Sequence, residues 1–163
     1  MNKVERASSQ WQHEMPELEL LPMEVVAQLG ATTRLISRDY LNPFFKEHGL
    51  QQGEFDVLAS LRRAGAPYKL VPTQLFEALM ISSGGMTNRL DRLETAGLIA
   101  RTPNPEDRRG TLVVLTDKGL ELINRIFPLH IENEAKALTT LSKKEQQTLK
   151  NLLTKLLNGL DQE

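Results

Sequence analysis

The sequence predicts a mainly α-helical fold carrying one small β-hairpin. Three observations predict it. Only 5% of residues are aromatic, which argues against a sheet-rich core, while hydrophobic (40%) and charged (25%) contents are ordinary for a globular protein. Apolar residues recur at helical spacing along most of the chain. Two short extended runs, 98–101 and 111–115, flank a polar stretch rich in turn-forming residues. At 163 residues the chain suits one domain, 1–163, better than two.

The elements follow in order. Trp11 to Leu20, with Glu14, Glu17 and Glu19 around Met15, Pro16 and Leu18, allows a short capped helical segment. From Met23 to Phe45 the positions Val25, Val26, Leu29, Leu35, Ile36, Tyr40 and Leu41 predict a long helix, with Gly49 marking its end. Glu54 to Arg63 groups Phe55, Val57, Leu58 and Leu61 on a second helix that stops at Gly65-Ala66-Pro67. Lys69-Leu70-Val71 reads as extended. Pro72 then suits a first helical position, and Leu75, Phe76, Leu79 and Met80 form one apolar face. Ser82 is a candidate N-cap for the next helix, whose stripe of Met86, Leu90 and Leu93 runs until Gly97 breaks it, so two helices meet at a tight turn near 81–83. Strands at 98–101 and 111–115 enclose the loop 102–110 and make a wing. Thr116 caps a further helix through Leu120, Ile123, Phe127 and Ile131, and Ser142 with Glu145 forms a capping box for the last one.

Composition excludes several function classes. With no cysteine, disulfides, thiolate nucleophiles and cysteine metal sites are absent, in keeping with a reducing, cytoplasmic location. No apolar run approaches the roughly 20 residues that span a bilayer, and the polar start has no signal-peptide stretch, so no membrane association is expected. His13, His48 and His130 fall on separate predicted segments without carboxylate pairing or metal-ligand spacing, and no glycine-rich phosphate loop occurs. We expect no enzyme, no metal and no cofactor.

The helix, turn, helix and hairpin order is what a DNA groove accepts: the second helix fits the major groove while the hairpin reaches the minor groove or backbone. That is a winged helix-turn-helix. Ser82, Ser83, Thr87, Asn88 and Arg92 avoid the apolar stripe and can meet base edges and phosphates. Asp107 can accept from Arg108 or Arg109, stiffening the loop and leaving a guanidinium for a minor groove. A solvated helix and hairpin tip is the plainer alternative for each taken alone. Net charge is −1, but residues 56–118 hold nine Lys/Arg against seven Asp/Glu, so this middle section is locally basic. The small excess predicts weak background binding and reliance on specific contacts.

The stretch GLIARTPNPEDRRGTLVVLTDKG, preceded by MTNRLDRLETA, resembles the wing and recognition helix of the MarR (multiple antibiotic resistance regulator) family. That resemblance spans nearly the whole chain and implies a winged helix-turn-helix lobe at 54–116 with helical dimerisation regions at 11–50 and 117–160. It implies a homodimer on a pseudopalindromic operator of double-stranded DNA, with repression relieved by a small ligand. Leu141, Leu149, Leu152, Leu153, Leu156, Leu157 and Leu160 supply more apolar surface than a small lobe should bury, which favours a dimer interface over intramolecular core.

WQHEMPELEL, EFDVLASLRRAGAP, ALM, TNRLDRLE and DRR narrow the resemblance to the PecS and urate-responsive branch. The branch implies a ligand site at Trp11, Asp56, Arg89 and Arg101. Chemically the set suits a flat, weakly acidic heterocycle, with Trp11 as a stacking face, the arginines as planar donors and Asp56 as an acceptor. The expected effector is urate or a related purine, with phenolic or aromatic carboxylates second. The residues by themselves leave open a packing role for Trp11, a buried Asp56–Arg89 ion pair and a phosphate contact for Arg101. A winged-helix module that binds protein instead of DNA is the remaining alternative.

Overall fold

A computed structural model describes residues 2–79 and 83–161. Backbone contacts divide the chain into two compact units, Met1–Pro43 and Phe44–Glu163.

The first unit holds α1 (Lys3–Glu14), α2 (Leu21–Ile36) and a π-helical turn, Ser37–Leu41. α1 starts earlier than the sequence reading placed it and ends sooner. Asn2 and Glu5 form a reciprocal capping box: the Val4 and Glu5 amides donate to Asn2 Oδ1 at 2.9 Å, and the Asn2 amide donates to Glu5 Oε2 at 2.8 Å. The helix stops at Glu14 because Pro16 disfavours helical backbone at Met15, whose φ is −138°. The Ser8 hydroxyl donates to the Glu24 carboxylate, joining α1 to α2. The expected long helix over 23–45 is helical throughout but interrupted by the π turn, which periodicity alone does not mark.

The second unit comprises α3 (Asn42–Glu47, from Phe44), α4 (Gln52–Arg63), β1 (Lys69–Leu70), α5 (Pro72–Leu79), α6 (Ser83–Thr95), β2 (Ile99–Asn104), β3 (Asp107–Leu115), α7 (Asp117–Ala137) and α8 (Lys143–Leu160). Its core joins Phe45, Val57, Leu58, Leu61, Leu75, Met86, Leu93, Ile99, Val113, Ile123 and Ile126, all buried, so α4, α5, α6 and α7 share one apolar centre with the sheet. The sheet is antiparallel in the order β1-β3-β2, with Leu70 opposite Val113 and Ile99 opposite Leu115.

The hairpin differs from expectation. Residues 102–104 and 107–110 belong to the strands, not to a nine-residue loop, and Asn104 pairs with Asp107 after a bulge at Pro103/Asn104. Arg101, Thr102 and Pro103 are exposed, so this ribbon extends past the core and shows no apolar alternation for the sequence to reveal.

α6 ends in a Schellman turn. Gly97 has φ +69°, Leu98 N donates to Leu93 O and Gly97 N to Glu94 O, both at 2.9 Å. The exit is tied to the start of α7: Thr116 Oγ1 donates to Gly97 O and Lys118 Nζ to Ala96 O, both at 2.7 Å, while Thr116 also accepts from Gly119 N at 3.0 Å. The expected caps at Thr116 and Ser142 are therefore present. The proposed cap at Ser82 lies outside the described residues.

Candidate nucleic-acid interface and effector site

α6 buries Met86, Leu90 and Leu93 and exposes Thr87 and Asn88 on its other side, the division expected of a helix that packs on one face and reads DNA with the other. Ser83 lies at the first position of α6, and Arg108 and Arg109 lie near the tip of β3, placed by their backbones. Across the hairpin, a Cβ on Gly110 would meet Asp107 Oδ2 at 3.1 Å, so this carboxylate folds over the ribbon; the Glu106 amide donates to Asn104 Oδ1 at 3.1 Å and tightens the tip.

Beneath α6 lies a second set of charges, on the first turns of α4. Arg92, expected on the DNA face, puts its Nε 2.6 Å from Glu54 Oε1. Glu54 is 4% exposed at its side chain and Arg92 53%. Oε1 takes part in no aligned hydrogen bond, so the attraction is chiefly Coulombic, while Oε2 accepts from the Gln51 amide at 2.7 Å. One turn earlier on α6, the Arg89 guanidinium rests against Gly53, where any Cβ would collide with it. Glycine costs helix stability, and here its missing side chain makes the room.

Asp56 faces Arg89. Its half-buried carboxyl is pushed above the ordinary carboxylate range by burial, against the pull of Arg89 and, more weakly, of His130. His130 sits on α7 inside an aromatic cluster, with ring centroids 4.5 Å from Phe55, 5.5 Å from Phe45 and 5.6 Å from Phe44. Its Nε2 lies 3.2 Å from Glu134, whereas Nδ1 is buried without a hydrogen-bond partner.

Arg101 is placed elsewhere. From β2 it reaches the α6 carboxylates, pairing with Asp91 and lying 3.6 Å from Glu94, while its amide donates to Glu94 at 3.0 Å. Trp11 stands on α1 in the first unit, 49% exposed. Of the four expected ligand residues, then, Asp56 and Arg89 come together, and Arg101 is engaged by two carboxylates. Gly53, Glu54, Asp91 and Glu94 carry no assigned role in the sequence, and His130 enters it only as a histidine without pairing or metal-ligand spacing. Only Glu54 carried a local signal, as the third helical residue of a capped helix, and that signal concerns the cap, not its partner on α6.

The model of the MarR family matches residues 48–110, which includes α4, α5, α6 and most of the hairpin. The chain is 45% identical to the HTH-type transcriptional regulator PecS of Dickeya dadantii over 144 residues, covering 88% of this chain and 86% of that protein. The chain belongs to the MarR family. It is also 31% identical to the multiple antibiotic resistance protein MarR of Escherichia coli, over 85% of this chain and 93% of the relative. A crystal structure of a mutant E. coli MarR complexed with operator DNA superposes with a TM-score of 0.74 at 27% identity, covering 90% of this chain and 97% of the other. This MarR-type chain is thus a transcriptional regulator of winged-helix architecture, a family of DNA-binding regulators rather than enzymes. Among the described residues no helix is long and apolar enough to cross a membrane.

Proposed function

We propose that this MarR-type regulator is a homodimeric repressor whose grip on a pseudopalindromic operator is released by urate or a closely related purine. The DNA-facing groups in this reading are Ser82, Ser83, Thr87 and Asn88 of the recognition helix and its turn, with Asp107, Arg108 and Arg109 of the wing. Thr87 and Asn88 suit base edges, and wing arginines suit the negative potential of a narrow minor groove. The dimer reading is supported by α8, which buries no residue while Leu149, Leu152, Leu153, Leu156, Leu157 and Leu160 are all exposed. Two copies would set recognition helices about 34 Å apart, one duplex turn. The whole chain, 1–163, serves as one regulatory domain.

The observation that carries the ligand reading is the Asp56–Arg89 pair under the recognition helix. An anionic heterocycle would recruit Arg89 and repel Asp56, drawing α6 away from the half-site spacing the operator requires. Such a ligand acts only through its differential affinity for the two arrangements. Arg101 would join by exchanging its carboxylate partners for the ligand. The test is a urate titration of the complex with an operator obtained by in vitro selection, alongside salicylate as an aromatic carboxylate. Loss of DNA affinity with urate, absent in Arg89→Ala, is expected. Undiminished affinity at saturating urate, or an unchanged response in Arg89→Ala, would refute the reading; ligand binding is measured separately because Arg89→Ala can itself weaken DNA binding.

A further inference from the structure

Each charged residue on α6 faces a charge of opposite sign within the protein. Asp91 and Glu94 meet Arg101, Arg89 meets Asp56, and Arg92 meets Glu54. The recognition helix therefore approaches DNA with neutral polar groups and almost no uncompensated charge. Arg92 is the pivotal member. It is the more exposed of the two α6 arginines, it stands on the helix that enters the groove, and an unrestrained guanidinium there would seek any phosphate.

We infer that Glu54 is a positioning residue for operator selectivity: its buried carboxylate holds Arg92 against α4 and withholds that guanidinium from DNA phosphates. Glu54 suits this role because its own position is fixed twice. Oε2 takes the Gln51 amide at 2.7 Å, locking the side chain into the first turn of α4, and that leaves Oε1 directed at Arg92 Nε at 2.6 Å. A carboxylate buried to this extent is held strongly to its one cation, since separating them would leave an unpaired charge out of water. Phosphate contacts raise affinity for every sequence alike, so withholding one lowers background binding more than operator binding.

The inference rests on the reading of α6 as the recognition helix, and its test separates the two. Glu54→Gln keeps the cap, because glutamine at the third helical position accepts the same amide. It also replaces the carboxylate with an amide that presents no charge to Arg92. With the selected operator and a mixed-sequence duplex, the dependence of log K on log salt is expected to steepen by about 0.9 for one added phosphate contact, with affinity for the mixed duplex rising and discrimination falling. In Glu54→Gln/Arg92→Gln the slope is expected to return to the wild-type value. An unchanged slope in folded Glu54→Gln, or a double variant whose slope falls about 0.9 below wild type, overturns the inference. The double variant decides even where Glu54→Gln alone does not fold, and collapse of both would assign Glu54 to the fold and also overturn it. Failure of the wild-type protein to bind any duplex would instead defeat the reading of α6.

Discussion

Arg101 of β2 and Asp91 of α6 form an ion pair that ties the root of the wing to the middle of the recognition helix. The side chains are 32% and 56% exposed, so solvent screens the pair and its contribution to stability is small. Its leverage is geometric, because it ties together the two elements that would enter neighbouring grooves in the proposed DNA reading.

Asp91→Asn is therefore expected to lower Tm by no more than about 4 °C, while operator affinity falls several-fold. Calorimetry and fluorescence anisotropy on the same sample check both. A fall in Tm with unaltered operator affinity would show that the tie serves stability alone.

Asp56→Asn should stabilise the protein at neutral pH. The folded-state carboxyl is raised by burial, so ionisation opposes folding above that raised value and has no effect below the ordinary carboxylate value, where both states are protonated. The advantage of the variant is expected to shrink as pH falls through this window, and Tm measured against pH records it. The same variant should lose its response to urate.

Gly53 and Gly30 make a matched pair of helical glycines. At Gly30 of α2 nothing lies within 4 Å of an added Cβ, so Gly30→Ala should raise stability by about 1 kcal/mol. At Gly53 the Cβ meets the Arg89 guanidinium, so Gly53→Ala should forfeit that gain and weaken urate binding by displacing the arginine. Denaturant titration of both variants is the check, and equal gains would show that Arg89 moves aside freely.

Leu153→Lys on α8 should convert a dimer to monomers with little loss of helix content, read by sedimentation velocity and circular dichroism. A monomeric wild-type protein would contradict the dimer reading outright.

The helices and caps of the second unit were legible because each expresses a local rule. Gly97 at a left-handed position, Thr116 and Ser142 as caps, and the stripe of Met86, Leu90 and Leu93 need no tertiary information. α1 begins earlier than the sequence predicts because its apolar face is sparse, with Val4, Ala7 and Trp11 among polar neighbours, and its start is marked only by the polar capping box of Asn2 and Glu5. The hairpin is longer than the sequence predicts because its outer residues pair without being buried. The partners of Arg92 and Arg101 were not legible at all, since an arginine near DNA and an arginine in an ion pair look alike until the opposing element is in place. Glu54 and Asp91 occupy those opposing positions, 38 residues and 10 residues away in sequence from the arginines they hold.

Ala96, Gly97, Thr116 and Lys118 form a joint where α6 ends and α7 begins, with two side chains bonded to two carbonyls at 2.7 Å. A joint of this kind carries torque. Tilting α6 costs either those bonds or a matching rotation of α7, a helix 21 residues long, so a small angular displacement at the DNA end becomes a displacement of several ångströms at its far end. In the proposed DNA reading the pair α6–α7 would act as a crank, and the end nearest the phosphates need not be the end that is pushed.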